Sequence, residues 1–176
     1  MLYSMKITID TCLINSANRI PEMNSLERLA SEGVIQIVGT ERLLQETENN
    51  SSRFDKAKSL ENLSEPFTVG MSRIGSAYIS DGTGYSFRQI ANILFPNRNE
   101  LNENESSDVM HLVSHANSDS DYFVTMNKWD FIHARRTNKN RDGSFKNVKK
   151  NKLGELGIKV MLPEEALALA SSLKKS

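Results

Sequence analysis

The sequence predicts an α/β protein with a mostly parallel sheet, and three observations carry that prediction. Short β-branched runs recur along the chain: KITI at residues 6–9, VIQIV at 34–38, DYFVT at 121–125 and IKVML at 158–162. Stretches with apolar residues at helical spacing lie between them. The order strand, helix, strand, helix over residues 5–50 is the rhythm of a parallel α/β sheet.

Each element has its own signal. Ile7 and Ile9 alternate with Lys6 and Thr8, which predicts a half-buried strand from about Met5 to Asp10. In NSLERLASEG, Leu26, Leu29 and Ala30 recur at helical spacing and Gly33 supplies the stop. VIQIV predicts a buried strand, after which Thr40 caps a helix in TERLLQETEN. RFDKAKSLENL and SFRQIANILF predict helices, the second stopped by Pro96. SAYISDGTGYS carries an Asp-Gly turn signal, and NRNELNENESS is polar enough for a surface linker. Ser107 is the expected cap of SDVMHLVSHA, with Asp108 in its first turn. There Asp108, His111 and His115 share one stripe, being three and four residues apart. IKVML predicts the last strand, and PEEALALASSLKK a helix opened by Pro163 and two acids and closed by lysines.

Composition narrows the class. At 176 residues the chain holds a single domain, 1–176, with 38% hydrophobic and 25% charged residues. No run of apolar residues reaches membrane-spanning length, and the start lacks a secretory pattern, so a cytoplasmic protein without membrane contact is expected. One cysteine, Cys12, excludes an intrachain disulfide. The zero net charge conceals an asymmetry. Residues 135–152 hold eight Lys or Arg against one Asp, a local +7, so the remainder sums to −7. A basic block on an acidic protein points to an anionic partner, RNA foremost, against the plainer reading of a solvated loop. Its candidate contacts are Arg135, Arg136, Lys139, Arg141, Lys146, Lys149 and Lys150.

The chemistry is expected at the strand ends. Asp10 closes the first strand, Glu46 lies in the helix after the second, Asp108 opens a later helix and Asn127 follows DYFVT. In an open parallel sheet the carboxyl ends of the strands form the ligand crevice. Carboxylates converging there repel one another unless a cation neutralises them, and oxygen ligands without cysteine point to Mg²⁺ or Mn²⁺.

These segments, ITIDTCLIN, ERLLQET, SDVMHLVSHANSDSDYFVTMNKWDF and LGELGIKVMLPEEAL, in this order resemble the PIN-domain family of small metal-dependent ribonucleases. The interval from Asp108 to Thr125, 125 − 108 = 17 residues, fits the family's spacing from helical acid to strand Thr. The resemblance covers both ends of the chain; residues 50–106 are less typical and 135–152 look like a basic insertion. It implies a three-layer α/β/α fold and a Mg²⁺- or Mn²⁺-dependent endoribonuclease that leaves a 5′-phosphate and a 3′-hydroxyl. It implies catalytic and metal-ligating roles for Asp10, Glu46, Asp108 and Asn127. Asn127 departs from the family's acid and brings no charge; Asp130 is the nearby substitute, with Asp119 and Asp121 weaker ones. Thr11, Thr125 and His111 are expected to orient the ligand carboxylates. A toxin paired with an antitoxin, a defence nuclease, another protein partner and a homodimer all stay open.

Rival readings are weaker. With Asn127 in place of an acid, a catalytically weakened RNA- or protein-binding module is the main one. A haloacid dehalogenase-like phosphatase needs a second Asp where Cys12 stands. His111 and His115 lack further zinc ligands, a Cys12–His nucleophile lacks an orienting group, and Cys12 is expected to be buried behind Asp10. Trp129 and Phe131 offer rings for base stacking or, more plainly, for the core.

Overall fold

A computed structural model describes residues 5–14, 19–63, 87–133 and 146–174. Five strands, β1 (Lys6–Ile9), β2 (Gln36–Thr40), β3 (Glu61–Leu63), β4 (Tyr122–Val124) and β5 (Val160–Met161), form one sheet in the order β3-β2-β1-β4-β5. Every pairing is parallel, with Ile7 opposite Ile37 and Tyr122, and Thr8 opposite Val38 and Phe123. The helices are α1 (Pro21–Ser31), α2 (Glu41–Thr47), α3 (Ser51–Ser59), α4 (Phe87–Leu94), α5 (Glu103–Ala116), α6 (Lys128–Phe131), α7 (Val148–Glu155) and α8 (Pro163–Leu173). The architecture is three-layered α/β/α, as expected.

Strand alternation divides the core into two. Ile7, Ile9, Ile37 and Val124 point to one face and pack with Met23, Leu26 and Leu29 of α1 and Ala166 and Ala170 of α8. Phe123 and Val160 point to the other and pack with Ile90 and Leu94 of α4, Val109, Leu112 and Val113 of α5, Phe131 of α6 and Leu153 of α7. Both faces being covered explains why these strands read as apolar runs.

Local chemistry sets several boundaries. Thr40 caps α2, its hydroxyl accepting from the Leu43 amide at 3.3 Å. Gly33 closes α1 with φ 76°, so Val34 N–H reaches Leu29 O and Gly33 N–H reaches Ala30 O, both at 3.0 Å. Gly157, φ 82°, closes α7 in the same way.

Other expectations are corrected. Helix α5 begins within the predicted linker: Asn102 and Glu105 form a capping box there, so Ser107 is no cap and Asp108 stands beyond the first turn. The segment ENL, read as helix, is strand β3. The second half of the basic stretch is helix α7, with Leu153 in the core, whereas SAYISDGTGYS and residues 134–145 lie outside the described residues. Phe131 is fully buried, its ring 5.3 Å from that of Phe123, and is no stacking platform. Among the described residues no helix is long and apolar enough to cross a membrane.

His115 is a core histidine. It is buried, Nδ1 lies 3.0 Å from Thr8 Oγ1, and burial pushes its pKa down to about 4, against a smaller opposing effect of Asp121. The folded protein therefore resists a proton that the unfolded chain takes up near pH 6.5, and stability falls as pH drops from there to about 4. Melting temperatures across this window will fall less steeply in His115→Gln than in the wild type; parallel slopes contradict this reading.

Candidate active site

The sheet's order places its topological switch point between β1 and β4, since the chain leaves β1 toward β2 on one side and reaches β4 on the other. Ligand crevices of open α/β sheets lie at such points, outside the carboxyl ends of the strands. Asp10 is there. Its amide donates to Val124 O at 3.0 Å, extending the β1–β4 ladder by one residue, and the residue is 5% exposed. Oδ2 accepts from Thr125 Oγ1 at 2.6 Å and from Cys12 Sγ at 3.1 Å. Thr125 also receives the Asn127 amide at 2.9 Å, tying the Asp10 rotamer to the turn after β4.

Cys12 is exposed as a residue rather than buried as expected, although its sulfur turns inward. Burial of that sulfur and the charge of Asp10 push the thiol up to about 12, so it is no nucleophile at neutral pH.

Glu46, on α2, is gripped by hydroxyls and an imidazole. Thr11 Oγ1 and Ser107 Oγ donate to its two oxygens, and His111 Nε2 lies 3.2 Å from Oε2. Burial raises the Glu46 pKa, but His111, Thr11 and Arg42 outweigh it and hold the carboxyl below its ordinary value. A carboxylate only accepts, so Nε2 of His111 carries the proton. At Nδ1 the Thr40 hydroxyl, 2.6 Å away, completes a chain running from β2 through the imidazole to Glu46. Arg42 Nε donates to Ser107 Oγ at 2.9 Å, so Ser107 passes the guanidinium's polarity on to Glu46.

Asp108 behaves differently. Burial, then the negative charges of Asp10, Asp130 and Glu46, push its pKa up to about 8, with Lys149 opposing. The four acids thus share one electrostatic neighbourhood. Asn127 caps α6, Oδ1 accepting from the Asp130 amide at 3.3 Å and Nδ2 donating to Asp130 Oδ2 at 2.7 Å. Its amide oxygen is therefore engaged, and Asp130 presents the charged group after β4.

The remaining candidates divide. Asp119 and Asp121 bind Lys6 Nζ and Lys6 N, both at 2.7 Å, at the amino end of β1, away from the crevice. Lys149, expected as an exposed RNA contact, is buried, with Nζ donating to Trp129 O at 2.8 Å. Lys150 is held by both oxygens of Glu165 at 2.8 Å, whereas Lys146 is exposed. Arg135, Arg136, Lys139 and Arg141 lie outside the described residues. Sequence reasoning missed Thr40, Arg42, Ser107 and the buried role of Lys149. Thr40 and Ser107 carried cap signals, which masked their second use as hydrogen-bond partners.

No protein-family model matches the chain, and no curated protein matches it as a relative. Among the described residues no three His, Cys, Asp or Glu side chains stand close enough to ligate one ion. All four acids offer oxygen, the donor atom that a hard divalent cation takes. Mg²⁺ keeps several of its waters, which eases the demand for direct ligands.

Asp108 also makes a prediction. With its pKa raised in the folded state, the unfolded chain releases the proton first, so its contribution turns destabilising as pH climbs from about 4 toward 8. Asp108→Asn will therefore raise the melting temperature of metal-free protein more at pH 8.5 than at pH 5, both pH values being set on either side of about pH 8. An equal gain at both would refute the raised Asp108 pKa.

Proposed function

We propose that the protein is a Mg²⁺- or Mn²⁺-dependent endoribonuclease of the PIN-like kind, with Asp10, Asp108, Asp130 and Glu46 as its acidic centre. The observation that carries this reading is Asp10, a buried carboxylate at the switch point of a parallel sheet, in the electrostatic company of three other acids. Metal-activated water and charge neutralisation at the phosphorus oxygens are what a bound divalent ion supplies in phosphodiester hydrolysis.

The chain's own residues do the positioning. Thr125 holds Asp10 in one rotamer. Thr11, Ser107 and His111 hold Glu46 ionised and aimed. Asn127 fixes Asp130 through both its amide and its helix cap. Asp108, its pKa raised by burial and by its acidic neighbours, is the acid that added positive charge in the crevice would help to ionise. The basic stretch 135–152, apart from the buried Lys149 and the paired Lys150, serves as the phosphate-binding flank in this reading, and the setting is cytoplasmic.

A second reading is favoured by Asn127 being engaged in its cap and by the acids standing apart: an RNA- or protein-binding module with weakened catalysis. One assay separates the two. Purified protein with Mn²⁺ will cleave single-stranded RNA to 5′-phosphate products, and Asp10→Asn will lower the rate by about 10² or more while leaving the circular dichroism spectrum and melting cooperativity intact. Retained RNA binding without Mn²⁺-dependent cleavage decides for the binding module.

A further inference from the structure

Among the described residues, two large apolar side chains stand in solvent, and both belong to the turn and short helix after β4. Met126 is 44% exposed and Trp129 36%. They adjoin the crevice through their chain neighbours. Met126 follows Thr125, which donates to Asp10 at 2.6 Å, and Trp129 precedes Asp130, which Asn127 holds at 2.7 Å. Phe131, two residues on, fills the core instead. The backbone that carries the indole is pinned by α7: Lys149 Nζ donates to Trp129 O at 2.8 Å, and the Lys149 amide donates to Ile132 O at 3.1 Å. The imidazole of His133 lies 5.2 Å from the indole, centroid to centroid, at an interplanar angle of 59°. Such a tilted contact holds the ring plane in one orientation. Nδ1 of His133 is in turn 3.4 Å from Lys146 O. Residues 134–145, with Arg135, Arg136, Lys139 and Arg141 against one acid, Asp142, are thus joined to the fold at both ends beside the indole. Lys128 and Lys146 are exposed there as well.

We propose that Trp129, with Met126 three residues before it, is a stacking site for one unpaired base of a single-stranded RNA whose backbone runs along the crevice. This deepens the RNA reading above and rests on it, but it needs no metal. Two apolar side chains match one base, whereas a protein interface takes about 800 Å² from each partner. The cations around the ring complement a chain of phosphates. A pinned ring binds a base without first being ordered, and every base offers a π-face. A base inside a duplex has both faces covered by its neighbours, so the site selects unpaired strands rather than a particular sequence.

The indole is the chain's one tryptophan, so its emission reports the contact directly. The full chain is titrated in EDTA, where metal-dependent cutting is suppressed, with a short single-stranded RNA. Tryptophan emission will be quenched as the RNA binds. Anisotropy of the labelled RNA will show Trp129→Leu binding about tenfold more weakly, and Trp129→Phe, which keeps a ring, about twofold. Met126→Gln will weaken binding about threefold with the quenching retained. Annealed to its complement, the same RNA will bind wild type and Trp129→Leu equally. Single-strand binding that leaves the emission unmoved, or that Trp129→Leu leaves unaltered, overturns the stacking site while RNA remains the ligand. Wild type that binds no RNA overturns the RNA reading and the site with it; self-association lost in Trp129→Leu would then make the patch a contact between copies of the chain. If Trp129→Leu does not fold, Trp129→Phe and Met126→Gln decide by the same two signals.

Discussion

The hydrogen bond from Thr125 to Asp10 joins the ends of β1 and β4, and the polar organisation of the molecule follows from it. A carboxylate removed from water needs donors of its own. Strand alternation puts Asp10 on the same face as Thr8, under helix α5, opposite the face that Ile7 and Ile9 give to α1 and α8. Helix α5 answers with a polar stripe of its own. His115 meets Thr8 in the middle of the sheet, His111 meets Thr40 and Glu46 further along, and Asp108 comes under the charge of Asp10 at the carboxyl end. The seam begins as neutral hydrogen bonds inside the core and ends as a cluster of charges at the crevice.

The crevice manages those charges in several ways. Glu46 remains ionised because an imidazole and two hydroxyls bind its oxygens. Asp130 is held by Asn127 and lies near the buried ammonium of Lys149. Asp108 is left partly removed from water beside those charges, so burial first, and then Asp10, Asp130 and Glu46, push its pKa up to about 8. A site so poised gains free energy from any added positive charge, which is the physical basis for linking it to a divalent cation.

Sequence reasoning identified elements whose signals are local. The Thr40 cap, the Gly33 stop and the Pro163 start are all present, because each depends on a backbone conformation or a bond within one turn. It failed where two local signals competed. Ser107 followed by an acid reads as a cap, but the Asn102–Glu105 box captured the helix start one turn earlier and freed Ser107 to bind Glu46. Residues 148–152, the end of the basic stretch, are rich in lysine and read as surface, yet Leu153 beyond them docks in the core and draws Lys149 inward with its helix.

The sequence by itself determined the alternation of strands and helices and the parallel sheet, since periodicity and capping act over a few residues. Tertiary structure alone decided how the acids of the crevice are paired. Thr125 reaches Asp10 across 115 positions and Ser107 reaches Glu46 across 61, while Lys149 turns inward to the Trp129 carbonyl of another helix. Charges interact through space according to distance and burial, and neither quantity is written in the order of the residues.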